Sequence, residues 1–233
     1  MSIFFIGRGA LLAKAIEFTI EQSIPVAGAS CMPGDLAIAR ISKLGVEIYQ
    51  SNNPNQDLLP VLSSKEISFV FSINNKFILH DELLSLGPNF YNIHSGLIQS
   101  YRGIAEICMI VALCRRENIY GVTIHQLLPN QEVDTGPTIG QIQFAILKSH
   151  NFSDLIKLSF NSADSIFKSY LPKIISHSET CTVIEPSTEV HTYNNLRETI
   201  KLIDPKRLNE VTDLGAFSRI FPKLDSLLGE ASN

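Results

Sequence analysis

Apolar residues alternate between short unbroken runs and stretches at three-to-four spacing for most of the chain. Ser2–Ile6 is an apolar run closed by Gly7-Arg8-Gly9, and Ala10–Gln22 follows with helical spacing. Pro25–Ser30 predicts a second strand, Leu36–Leu44 a helix stopped at Gly45, and Val46–Tyr49 a third strand. Asp57–Ser64 predicts a helix, and Ser68–Ile73 a strand rich in β-forming residues. Phe90–His94 is the next strand. A helix over Ile104–Arg116 leads to strands over Gly121–Leu127 and Gln141–Ile146. A long helix spans Ser153–Tyr170, with Ser153 as its N-cap. Thr180–Thr192 predicts irregular chain or a short hairpin. Asn194–Ile203 and Pro205–Val211 predict short helices, Pro205 fitting a first helical position.

Strands alternating with helices imply parallel βαβ units, hence an α/β fold with a doubly wound, mainly parallel sheet. In such sheets ligands bind beyond the carboxyl ends of the strands, so chemistry should follow the strands. The expected division is a domain over 1–188 and a small C-terminal helical appendage over 189–233.

Composition narrows the classes. A chain of 233 residues is one large domain, or one domain with an appendage. Charged residues are 18%, below the roughly 25% of an average domain, which leaves room for a face covered by a second copy of the chain. The net charge of −4 argues against nucleic acid as a partner, which needs a basic face. Cys31, Cys108, Cys114 and Cys181 lack metal-ligand spacing and fit a reducing cytoplasm. No run reaches the roughly 18 apolar residues of a membrane span. The apolar start fits a first core strand better than a signal peptide.

The turn Gly7-Arg8-Gly9-Ala10-Leu11-Leu12 lacks the third glycine of a dinucleotide fingerprint, and no acidic residue ends the second strand. It reads as a tight strand-to-helix turn that can touch substrate through Arg8 and Gly9. A richer set is Asn92-Ile93-His94, Tyr101-Arg102-Gly103, Gly121-Val122-Thr123-Ile124-His125 and Val133-Asp134-Thr135-Gly136-Pro137. Strand alternation puts Asn92 and His94 on one face, where an amide and an imidazole can converge on one small group. Singly, an Asn-x-His is more often a structural pair, and an Asp-Thr-Gly more often a turn.

In order and spacing this segment resembles the catalytic domain of the 10-formyltetrahydrofolate-dependent formyltransferases. That family includes glycinamide ribonucleotide, methionyl-tRNA and sugar N-formyltransferases. The resemblance covers roughly 68–146 and implies Asn92, His94 and Asp134 as catalytic residues. It implies a formyl donor, 10-formyltetrahydrofolate, held by Lys76, Phe77, Ile78 and Leu79 and by Gln131, Glu132 and Val133. Ser72 and Asn74, with Arg8, Gly9 and Arg102, are the expected acceptor-side residues; Arg102 alternatively holds its own loop. His125 is either a loop anchor or a supporting group. Glu106 is expected to cap its helix, and His80, His150, His177 and His191 to be solvated or packing residues.

Two departures stand out. His94-Ser95-Gly96-Leu97-Ile98-Gln99 lacks both prolines of the family loop, and the stretch from His125 to Asp134 is longer. The implied activity is formyl transfer to a primary amine of a small molecule, such as a nucleotide-linked amino sugar or a specialised metabolite. Formyltetrahydrofolate hydrolysis and a non-catalytic binding module on the same fold are the competing readings.

Overall fold

A computed structural model describes residues 1–64, 66–201, 210–211, 214, 217–224 and 226. In chain order, β1 (Ile3–Gly7) leads to α1 (Gly9–Glu21), β2 (Val26–Cys31), α2 (Ile38–Ser42), β3 (Ile48–Gln50), α3 (Pro54–Asp57) and α4 (Leu59–Ser64). Then come β4 (Phe69–Ile73), α5 (Asp81–Leu84), β5 (Asn89–His94), β6 (Arg102–Gly103), α6 (Ala105–Cys114), β7 (Ile119–Leu127) and β8 (Thr138–Ala145). α7 (Phe152–Ile175), β9 (Val190–His191) and α8 (Tyr193–Lys201) follow.

The main sheet has seven strands in the order β3-β2-β1-β4-β5-β7-β8. β1 to β5 run parallel, while β7 and β8 are antiparallel to their neighbours. This is the mainly parallel α/β sheet expected from the alternation of strands and helices. The order reverses at β1, so the turn after β1 lies at a switch point, on the side where such sheets receive ligands.

Strand alternation divides the core. Phe71, Tyr91, Ile93, Val122 and Ile124 face α1 and α7 in one apolar cluster. Phe4, Ile6, Val70 and Phe90 pack with Leu58, Leu62 and Leu83 from the opposite helices. A third cluster surrounds α6, whose residues Ile107 to Leu113 are all buried. An all-apolar helix must be covered on every side. Leu196, Val211, Leu214, Phe221 and Leu224 of the C-terminal segment take part in covering it.

Several boundaries move for local reasons. The long helix is capped by Asn151, not Ser153. The Asn151 side chain accepts from the Asp154 N–H at 3.1 Å, and the Asp154 carboxylate accepts from the Asn151 N–H at 3.1 Å, a reciprocal capping box. That helix runs on to Ile175, past Tyr170. The helix expected over 57–64 is two short ones meeting at Leu58, with Pro54 starting the first. β8 begins at Thr138, ahead of Gln141. Of the helix expected over 205–211, all but the last two residues lie outside the described residues.

Candidate active site

β5 carries Asn92 and His94 to its carboxyl end on the face away from α1 and α7. Asn92 pairs across to His125 of β7, and His94 to Thr123, so β7 brings His125 to the same face. The chain then loops through 128–137 before β8. Gly136 lies so close to the Gln126 carbonyl that a Cβ would sit 1.8 Å from its oxygen. This close return folds the loop back on β7 and sets Asp134 beside the histidines. Asp134 has φ +56°, a left-handed conformation that Asp tolerates better than most residues.

Four side chains meet there. Asp134 Oδ2 lies 3.4 Å from His94 Nδ1, and Asp134 Oδ1 lies 3.4 Å from His125 Nε2. The Asn92 amide nitrogen is 3.2 Å from His125 Nε2. His94 Nε2 is 2.9 Å from the Tyr101 carbonyl, which can only accept, so Nε2 carries the proton there. Asp134 Oδ2 also accepts from the Gly103 N–H at 2.9 Å. His94 is 5% exposed, Asp134 6% and His125 0%, while Asn92 is half-buried. The carboxylate–imidazole set is thus closed off, and Asn92 is its open edge.

Burial by itself would raise the Asp134 pKa. The charge of His94, the hydrogen bond and charge of His125, and the Gly103 N–H outweigh it and hold the carboxyl well below its usual range. The group is therefore a carboxylate at neutral pH. His125 Nδ1 is 3.2 Å from the Gln126 carbonyl. With its proton on Nδ1, His125 accepts from Asn92; in the imidazolium form its Nε2 donates to Asp134.

Arg102 is 3% exposed, and its guanidinium is spent on the loops. It donates to the Val133 carbonyl at 2.9 Å, the Glu132 carboxylate at 2.9 Å and the Ser187 carbonyl at 2.5 Å. The alternative loop-holding reading of Arg102 matches this placement; an acceptor would find none of its nitrogens unengaged. Glu106 does not cap α6 by hydrogen bond but accepts from the Tyr193 hydroxyl at 2.8 Å. His191 is buried against the Tyr101 ring, with centroids 5.5 Å apart.

The segments expected to flank the formyl donor meet where the Asn130 N–H donates to Asp81 at 2.9 Å. Phe77 has both backbone groups closed on the Asn75 amide, and the Ile78 carbonyl accepts from Asn55. Leu79 is buried in the core, while the Ile78 side chain is 63% exposed and offers an apolar face beside the loop. Lys76, with Arg8, lines a hollow at the ends of β1 and β2, away from the Gln131, Glu132 and Val133 loop. Ser72 is buried within β4. Asn74 and Arg8 bond reciprocally, Arg8 Nε donating to the Asn74 carbonyl at 3.2 Å and the Asn74 amide to the Arg8 carbonyl at 3.4 Å.

Three contributors were not foreseen: the Tyr101 carbonyl, the Gly103 amide and Asp35, whose Oδ1 accepts from the Gly9 N–H at 2.8 Å. The first two are backbone groups and leave no mark on residue type. Asp35 sits in a turn that carries no motif.

A family model described as formyl transferase matches residues 21–167. Among solved structures, the chain resembles WlaRD, a sugar 3-N-formyltransferase solved with dTDP and 5-N-formyltetrahydrofolate. The identity is 18% and the TM-score 0.69, over 84% of this chain and 70% of that one. It also resembles an N-formyltransferase from Helicobacter canadensis, in complex with folinic acid and dTDP-3-aminofucose. Here the identity is 16% and the TM-score 0.68, over 83% of this chain and 71% of the other. Glycinamide ribonucleotide transformylase 1 from Symbiobacterium toebii is 21% identical with a TM-score of 0.67, over 76% of this chain and 88% of that one.

Proposed function

The chain belongs to the formyl transferase family, and from that premise we propose that it moves a formyl group from 10-formyltetrahydrofolate to a primary amine of a small acceptor. The observation that carries this reading is the four-residue set of Asn92, His94, His125 and Asp134, closed except at Asn92. Two solved relatives in complex with formylated folates support the choice of donor.

The reaction forms a bond from the acceptor nitrogen to the formyl carbon and breaks the bond from that carbon to N10 of the folate. Negative charge builds on the formyl oxygen on the way. Asn92 has two amide hydrogens; with His125 neutral and protonated on Nδ1 one of them is donated to His125 Nε2, and the other can meet that charge. His94 stands behind it as the partner of Asp134, its ring fixed by the Tyr101 carbonyl. The amine must lose a proton and N10 must gain one. In this reading Asp134, held as a carboxylate, acts on the proton balance through His94, whose imidazolium form it favours. The donor would lie between Ile78–Leu79 and the 131–133 loop, its flat ring against the exposed Ile78 side chain.

We take the acceptor to be an amino sugar carried on a nucleotide or a comparable amine from specialised metabolism, and the chain to work in the cytoplasm, paired with a second copy. None of the four cysteines is in a disulfide, and among the described residues no helix is long and apolar enough to cross a membrane. Residues 1–188 form the catalytic part in this reading, and 189–233 a C-terminal part from which Leu196, Val211, Leu214, Phe221 and Leu224 pack in the α6 cluster. The test is a mass-spectrometric screen of amines with the purified chain and 10-formyltetrahydrofolate. A product gaining one formyl group is expected. Formate released at an equal rate without any amine would mean a hydrolase instead, and neither product would defeat formyl transfer.

A further inference from the structure

β8 is the last strand of the main sheet, and among the described residues no strand covers its outer edge. The chain that leaves α7 returns to this edge at a bridge, where the Thr182 N–H donates to the Thr138 carbonyl at 2.7 Å. A cavity of about 490 Å³ lies there, lined by Thr138 and Gly140 of β8, Tyr170 and Lys173 of α7, and Glu179 and Thr182 of the returning chain. That volume falls within the roughly 300–1,000 Å³ of small-molecule sites. Gly140 makes room for the Tyr170 ring, since a Cβ would sit 2.2 Å from its Cζ. The cavity is on the α7 side of the sheet, whereas Asn92, His94 and Asp134 meet on the other. Tyr91, next to Asn92 in β5, points to the α7 side, and its hydroxyl donates to Glu179 Oε1 at 3.3 Å.

Two oxygens of the lining residues are left short of bonds. Thr138 is 2% exposed, yet its Oγ1 has no hydrogen-bond partner among the described residues. Glu179 Oε2 is buried and has none either. Buried polar atoms are nearly always satisfied, so each of these calls for a partner. Lys173 Nζ lies 4.6 Å from the Tyr170 ring centroid, so an ammonium and a carboxylate share the lining. A small anion drawn to Lys173 meets Glu179, and a small cation drawn to Glu179 meets Lys173. A hydroxyl group suits both, because it donates to Glu179 Oε2 and accepts from Lys173; toward Thr138 Oγ1 it does either.

We propose that this cavity is a second binding site, for a neutral polyhydroxylated molecule of monosaccharide size, with Glu179 and Thr138 as its recognising side chains. Thr138 stands opposite His125 in the β7–β8 register, so the site adjoins the strand that brings His125 to the catalytic set. Binding here is independent of formyl transfer and is read without turnover.

The test titrates the full chain with glucose, galactose, N-acetylglucosamine and myo-inositol, and with methylammonium and inorganic phosphate as charged comparators. The backbone amide signals of Gly140, Glu179 and Thr182 report binding. At least one of the four neutral probes is expected to shift them saturably, and neither charged probe to do so. Glu179→Gln keeps the shape and loses the charge, and should weaken that binding about tenfold. Thr138→Val keeps the shape and loses the hydroxyl, and should weaken it about threefold or more. Glu179 is half-buried and outside any helix or strand, so its variant tests the site even where Thr138→Val fails to fold. Asn92→Ala should bind the same probe as wild type does. The absence of a saturable shift with all four neutral probes would overturn the proposal. So would shifts centred on Asn92 and His94, tighter binding of methylammonium or phosphate at these amides, or wild-type affinity in folded Glu179→Gln.

Discussion

Asp134 ties ionisation to stability. Its folded pKa lies below the ordinary 3.8, so the carboxylate stabilises the fold above that value, and the contribution is lost as pH falls through it toward the lower folded pKa. Urea midpoints measured against pH should fall for wild type across this acid window. Asp134→Asn should be less stable at neutral pH, with the two curves converging in acid. Parallel curves would mean that the His94 and His125 contacts carry no net charge stabilisation. Asn92 poses a different question, because it is the open member of the set. Asn92→Ala should lower turnover by roughly 10²–10³-fold, as loss of one donor to a developing oxyanion does. Folate affinity should move much less. Equal losses in both would assign Asn92 to donor binding.

At the level of elements, the loop after β5 shows how a missing pair of prolines is replaced. Gly96 packs so tightly that a Cβ would lie 2.4 Å from His94 Nε2 and 2.7 Å from the Tyr101 carbonyl. The Thr123 hydroxyl donates to the Gly96 carbonyl at 2.8 Å, and the Tyr120 hydroxyl to the Ser95 carbonyl at 2.7 Å. Side chains from β7 thus pin a loop that the family pattern stiffens with proline. Gly96→Ala should displace the His94 ring, lowering turnover together with the melting temperature; a fully active, fully stable variant would show that the loop has slack. Much of this architecture was legible in the sequence, because strands such as Phe69–Ile73 and Asn89–His94 have strong periodicity and clear punctuation. Asn92, His94 and Asp134 could be singled out because residue type and order mark them. The role of Arg102 was harder to read, since one guanidinium serves a loop or a ligand equally well until its partners are known. The strands β6 and β9, two residues each, are too short for any period to register. Asn151 was passed over for Ser153 because both are good caps, and only the reciprocal bond with Asp154 decides between them.

On the scale of the whole molecule, the C-terminal segment packs back on α6 in the middle of the chain through Leu196, Val211, Leu214, Phe221 and Leu224. Leu196 is fully buried in the cluster around α6, whose start lies next to Arg102–Gly103. Leu196→Ala should cost ~2–5 kcal/mol of stability, the range for a buried leucine cut to alanine. Calorimetry would read this directly, and a change well under that range would mean that the C-terminal cover is loosely packed. The same experiment bears on the division at 188. If 189–233 were an independent appendage, the catalytic part would keep its own melting transition when Leu196 is lost.

Gly103 belongs to two structures at once. Its N–H is held by Asp134, and its strand β6 is paired with β9, where Gly103 faces His191. A single amide proton therefore exchanges with solvent only when the carboxylate lets go of it. Its exchange rate is a clock for how often the centre opens, readable with no substrate present, and one that β9, far from Gly103 in sequence, is placed to set.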